Sequence, residues 1–228
     1  MSGSGMFLTE RGYRAPTPKH GPEAEAQDLR DDLKKWLPLL AAITLEEYTN
    51  PVAANNAGIL AATACSVAIQ SIGPSGMVGA PATAFVLPYP RPLSVTTAGN
   101  TPAHAPANVT ITGTDVDGNT LTETIAVPQT ATTQAGTKCF KTVTSIVTTA
   151  GDGTDATMAV GWGAGLGLYR KPKARAGATL LIREIAVGAL VTTGAISAPA
   201  TNAPHGMYTP SDAPDASRDY CIFYEMEV

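Results

Sequence analysis

NVTITGTDVDGNTLTETIAV, residues 108–127, alternates with a period of two on either side of an Asp-Gly-Asn centre. Val109, Ile111, Leu121, Ile125 and Val127 fall on odd positions, and Thr110, Thr112, Thr114, Thr120, Thr122 and Thr124 on even ones. Successive side chains of a strand point to opposite faces, so the pattern predicts two strands with one apolar face and one threonine ladder. Asp117, Gly118 and Asn119 predict the tight hairpin turn between them, with glycine supplying a positive φ. Glu123 interrupts the apolar face, and a strand end or barrel rim explains it better than a functional carboxylate does. Asp115, Asp117 and Asn119 match positions one, three and five of a calcium loop. Such a loop also needs Gly at six and Glu at twelve, where Thr120 and Ala126 stand, so no metal is expected.

Further strands are predicted in KTVTSIVTT, TMAVGWG, TLLIREIAVGALV and DYCIFYEMEV, separated by turns such as AGDGTD. Many short strands at such spacing predict a mainly β chain, an antiparallel β-sandwich or a jelly-roll-like barrel, over residues 93–228. In the last segment Tyr220, Ile222, Tyr224 and Met226 alternate with Cys221, Phe223, Glu225 and Glu227, which suits a sheet with one apolar face. Gly161, Gly163, Gly165 and Gly167 recur at every second residue without the helix that a dinucleotide loop requires. They let a strand curve or another backbone approach closely. Arg170, Lys171, Lys173 and Arg175 form a basic run suited to a solvated loop or an acidic partner.

Residues 51–92 hold small apolar residues punctuated by Gly and Pro, a connector region in which Ala57–Ala68 suits either a second short helix or buried strands. Pro88, Pro90 and Pro92 make its end extended, because each proline pushes its predecessor out of the α region. Upstream, Leu29, Leu33, Trp36, Leu37 and Leu40 recur at helical spacing, with acidic residues early and Lys34 and Lys35 late. A helix is expected from about Glu23 to Trp36, within a helical segment spanning 26–50, and Pro38 ends or kinks it. Residues 1–25 lack periodicity and predict an extended arm making intermolecular contacts. Phe7, Leu8 and Tyr13 are its candidate anchors in a partner's groove, and Leu29, Leu33 and Trp36 pack beside them.

The charge balance excludes some functions. With 15 Lys and Arg against 19 Asp and Glu, the chain lacks the basic surplus that phosphate recognition needs, and no nucleic-acid partner is expected. Charged residues make up 15% and hydrophobic ones 44%, so partner subunits are expected to cover part of the surface. Cys65, Cys139 and Cys221 form no CxxC pair and predict free thiols in a reducing cytoplasm. The first 21 residues show no apolar leader region, and Ala57–Gly73 is too short and polar for a membrane span, so neither secretion nor a membrane anchor is expected. His20, His104 and His205 stand apart, and Glu46-Glu47 and Asp31-Asp32 are placed on helix surface. No catalytic residue, cofactor or metal ligand is assigned.

Three stretches then carry a resemblance: ANVTITGTDVDGNTLTETIAV, GTKCFKTVTSIVTTAGDGTDATMAVGWG and the terminal HGMYTPSDAPDASRDYCIFYEMEV. In this order they resemble a recurrent virion structural protein of tailed bacteriophages, over roughly Thr96–Val228. The resemblance implies a non-enzymatic capsid decoration or cement protein on the virion surface, made in the host cytoplasm. Its partners would be the major capsid protein and other copies of itself in a homotrimer. A neck, tail or head-fibre base component is the alternative, and a host-binding adhesin or carbohydrate module a further one. At 6% aromatic residues the chain is poor in the rings that build sugar platforms.

Overall fold

The computed structural model describes residues 43–173, 179–186, 189–191, 194–197 and 205–227. The arm over residues 1–25 with Phe7, Leu8 and Tyr13, the helix bearing Leu29, Leu33 and Trp36, and Arg175 lie outside the described residues. The described chain is mainly β, built from antiparallel sheets as in a β-sandwich. In chain order the strands are β1 (Ile43–Tyr48), β2 (Asn55–Ala64), β3 (Ser71–Ile72), β4 (Phe85–Gly99), β5 (Asn108–Thr114), β6 (Thr120–Ala126) and β7 (Thr133–Thr148). There follow β8 (Ala156–Trp162), β9 (Leu166–Gly167), β10 (Thr179–Ala186), β11 (Ala189–Val191), β12 (Ala195–Ser197), β13 (Met207–Thr209) and β14 (Asp219–Glu225).

The largest sheet has seven strands, in the order β2-β8-β4-β7-β5-β6, with β3 also on β7. Its two long strands, β4 and β7, pair from Phe85↔Val143 to Thr96↔Thr133, with register breaks between Val86 and Arg91 and between Pro92 and Ser94. The breaks fall where Pro88, Pro90 and Pro92 cannot donate to a ladder. Beyond them β4 runs in regular register with β8, from Leu93↔Trp162 to Gly99↔Ala156. The second half of β7 pairs with β5. Each long strand thus serves both halves of the sheet, and bulges of this kind let one sheet bend over its own core. That core takes Ile59 and Leu60 from β2, Leu93 and Val95 from β4, Val109 and Ile111 from β5, Leu121 and Ile125 from β6, and Val160 from β8.

On the opposite face of β5 and β6 the threonines meet in register. Thr110 and Thr124 bring their hydroxyls to 3.0 Å, Thr112 and Thr122 to 3.4 Å, and Thr114 reaches Thr142 of β7 at 2.8 Å. Thr120, Thr122 and Thr124 are exposed while Leu121, Glu123 and Ile125 are buried. The smaller sheets, β1-β14-β10-β11 and β12-β13-β9, contribute to a second core of Tyr48, Leu166, Leu168, Tyr208, Tyr220, Ile222 and Tyr224. Tyr89 and Tyr169 pack against it, so six of the chain's seven tyrosines gather there.

Two sequence boundaries are corrected. Residues 51–92 are no mere connector, because they supply β2, β3 and the beginning of β4, and β structure therefore starts well before residue 93. Within Ala57–Ala68 the chain is strand as far as Ala64, since β2 covers the edge of β8 and buries Ile59 and Leu60. The end of the 26–50 helical segment is also strand. In β1 the expected polarity is reversed, with Glu46 buried at 5% exposure and Leu45 exposed at 45%. The alternating glycines mark a close backbone approach, because a Cβ on Gly161 would collide with the Asn55 carbonyl of β2.

Candidate functional site

Three of the buried charged side chains, Glu123, Glu46 and Arg91, each stand at a node of hydrogen bonds. The first is Glu123, in the middle of β6 and buried. Its carboxylate accepts from the backbone N–H of Thr137 at 2.6 Å, the Thr137 hydroxyl at 3.0 Å and the N–H of Lys138 at 3.3 Å. These donors lie in a bulge of β7. Pro92 pairs with Cys139 and Ser94 with Ala135, so Gly136, Thr137 and Lys138 stand opposite Leu93 alone. A bulge leaves N–H groups without ladder partners, and a carboxylate that accepts from them makes charge-assisted bonds. Glu123 satisfies them from the other wall of the core. Gly136 leaves the space for it, since a Cβ there would lie 2.5 Å from Glu123 Oε2.

The second node is Glu46 of β1. It accepts from the Tyr48 hydroxyl at 2.6 Å, from the N–H groups of Tyr169 and Arg170 at 2.8 and 3.0 Å, and from the Tyr224 hydroxyl. Tyr48 and Tyr224 are thereby held protonated. Burial pushes both phenols well above the ordinary tyrosine value, and the Glu46 charge raises them further. This node ties β1, β14 and the segment after β9 together through one carboxylate.

The third node is Arg91, 2% exposed. Its guanidinium donates to the carbonyls of Val52 at 2.6 Å, Gly163 at 3.1 Å and Ala164 at 3.3 Å. No described carboxylate lies within ion-pair distance of it. Burial draws it down to about 10, still protonated at neutral pH. Carbonyl dipoles stand in for a counter-ion, and the side chain of β4 thereby clamps the β1–β2 and β8–β9 connections. Burial likewise pushes the nearby Cys139 thiol up to about 12, so it is no thiolate nucleophile at neutral pH.

The hairpin turn consumes its own acidic groups. Asp115 is buried and accepts from the N–H groups of Asp117 and Asn119, each at 2.9 Å, and from the Asn119 amide at 3.3 Å. Gly118 adopts φ +83°. Asp117 meets His205 at 3.0 Å, and His104 meets Asp155 at 2.5 Å. In the basic run, Lys171 pairs with Glu227 at 2.5 Å and Lys173 reaches Glu225 at 3.8 Å. Among the described residues no cluster of three or more His, Cys, Asp or Glu could hold a metal ion, and no helix is long and apolar enough to cross a membrane.

Sequence reasoning placed Asp117, Gly118 and Asn119 in one turn, where the structure also has them. It missed Glu46, set on helix surface, and Arg91, set in a connector. The Tyr220–Tyr224 alternation was a signal for the second core; nothing in the linear pattern pointed to its carboxylate. All three nodes bind the fold's own backbone and hydroxyls. Among the described residues, the groups turned outward include the uncharged Thr120, Thr122 and Thr124 of β6 as well as the apolar Val67, Ile69 and Val86. No family model, curated protein or solved structure matches the chain.

Proposed function

We propose that the chain is a non-enzymatic structural component of a tailed-phage virion, a capsid decoration (cement) protein. It binds the major capsid protein at the outer surface of the head as a homotrimer, after synthesis in the host cytoplasm. The observation that carries the non-enzymatic part is the use of the buried charges. Glu46, Glu123 and Arg91 are each buried and held by intramolecular partners, which favours a structural use for all three. A shell protein needs only surfaces, and the threonine face is an uncharged one. Many copies of a modest interface reach through avidity what one contact does not.

The phage assignment rests on the sequence resemblance across Thr96–Val228. The jelly-roll-like form and the joining arm over residues 1–25 belong to the same proposal. A sugar-binding adhesin is disfavoured by the aromatics: no described aromatic side chain is exposed, and Tyr48, Tyr208, Tyr220 and Tyr224 are wholly buried. The deciding measurement is quantitative mass spectrometry of virions, read as copies of this chain per coat protein, together with binding of the purified chain to expanded heads. Hundreds of copies and saturable binding are expected. A few to a few dozen copies would reassign the chain to a neck, tail or fibre base, and absence from virions would end the proposal.

A further inference from the structure

The edge of β6 carries an inference that depends neither on the phage reading nor on the trimer. In an antiparallel ladder, alternate residues turn their N–H and C=O groups toward the partner strand and the others turn them away. Asp115 N–H donates to the Asn119 carbonyl at one end of the β5–β6 pair, and Val127 N–H to the Ala107 carbonyl at the other. With the register Gly113↔Leu121, Ile111↔Glu123 and Val109↔Ile125, the odd residues of β6 bond to β5. Thr120, Thr122, Thr124 and Ala126 therefore direct their backbone groups outward, from the last strand of the sheet.

This edge lacks the usual protections. β6 runs in register with β5 without a bulge, contains no proline, and its one charged side chain, Glu123, points into the core. Among the described residues a single device guards it: Lys138 Nζ donates to the outward Thr122 carbonyl at 2.8 Å. The opposite edge of the sheet differs. β2 carries two register breaks, and its Ile59 carbonyl already accepts from Val78.

We propose that β6 is a self-association strand closed by Lys138, and that its occupant is the β6 of a second copy, paired antiparallel about a two-fold axis at Thr122. The complementarity is internal to the strand. About that axis the outward N–H groups of Thr120, Thr122 and Thr124 each meet an outward C=O, and Thr120 faces Thr124 of the other copy. No charged side chain lies on the outward-facing positions, so the threonine ladder continues across the junction without like charges opposed. β2, bulged and partly occupied, offers no matching edge, which selects the isologous arrangement. Lys138 opposes it twice, by occupying the central carbonyl and by bringing two ammonium groups to the axis.

The test is sedimentation of the full chain and its variants across a range of concentration and salt, with hydrogen exchange of the β6 amides. Lys138→Met is expected to tighten association about tenfold or more, the worth of the two hydrogen bonds recovered at the axis, one from each copy. Adding Thr122→Pro, which removes an outward N–H without touching the β5 ladder, is expected to abolish the gain. Thr124→Lys serves the same purpose if the proline variant fails to fold. The amides of Thr120, Thr122 and Thr124 are expected to gain protection with concentration, while those of Leu121, Glu123 and Ile125 are protected throughout. The proposal is overturned if Lys138→Met associates no more than the parent, if the edge variants leave its association intact, or if the even-numbered amides exchange at the same rate at every concentration. Because the contact is two-fold, its failure leaves the proposed three-fold assembly untouched.

Discussion

Replacing Glu123 by leucine would restore an unbroken apolar face to β6, and on pattern alone it is expected to stabilise the chain. The structure leads to the opposite expectation. Leucine removes the acceptor of the Thr137 and Lys138 N–H groups, which sit in a bulge with no ladder partner. Thr137 is exposed and Lys138 half-buried, so the loss is that of two bonds to a charged acceptor, about 1.5–3 kcal/mol each and about 3–6 kcal/mol together. Burying the leucine side chain offsets about 1.5–3 kcal/mol of this. A net loss on the order of 2–3 kcal/mol corresponds to a fall in Tm of about 4–12 °C for a domain of this size. Thermal and urea unfolding of Glu123→Leu measure it directly. A double-mutant cycle then tests the mechanism, because the missing Cβ of Gly136 makes room for the same carboxylate, 2.5 Å from where that carbon would stand. Gly136→Ala should be costly in the parent and milder beside Glu123→Ala, with a coupling of about 0.5 kcal/mol or more. An unchanged Tm for Glu123→Leu, or strict additivity in the cycle, would refute the reasoning.

Gly118→Val should cost about 1–2 kcal/mol from the positive φ alone, since nothing within 4 Å would meet the new Cβ; an unchanged urea midpoint would count against the turn. Tyr48 and Tyr224 have raised values in the folded state, so their contribution to stability is fully present below the ordinary tyrosine value of 10.0. It is lost as pH climbs above that value, because the unfolded chain releases protons that the folded chain retains. Denaturation between about pH 9 and pH 12 should show this decline, with the phenolate absorbance of these two rings appearing only on unfolding and the decline shallower in Tyr224→Phe. Chelation should leave the melting temperature unchanged, since Asp115 already spends its carboxylate on Asp117 and Asn119; a calcium-dependent rise of several degrees would reverse that assignment.

The period-two alternation of residues 108–127 and 219–225 was enough for the β class, the hairpin, the threonine ladder and the buried face of the last strand. These are local facts: a strand shows alternate side chains to alternate faces whatever else the chain does. At β1, expected as helix surface, the strand alternates too, but with Glu46 inside and Leu45 outside. That inversion depends on Tyr48, Tyr169, Arg170 and Tyr224, which come from positions up to 178 residues away. At Glu123 the alternation held, but the expected strand end or barrel rim is mid-strand, and the burial of the charge follows from a bulge in β7, itself opposite the proline-broken register of β4. Arg91 was illegible for a related reason: three backbone carbonyls solvate it, and a carbonyl leaves no mark in a sequence. Pattern determined which face of β5, β6 and β14 is apolar. Only the tertiary structure decided which charges go inside, because a buried charge is tolerated according to the donors and acceptors that distant segments bring to it, and these exist only once the sheets have closed.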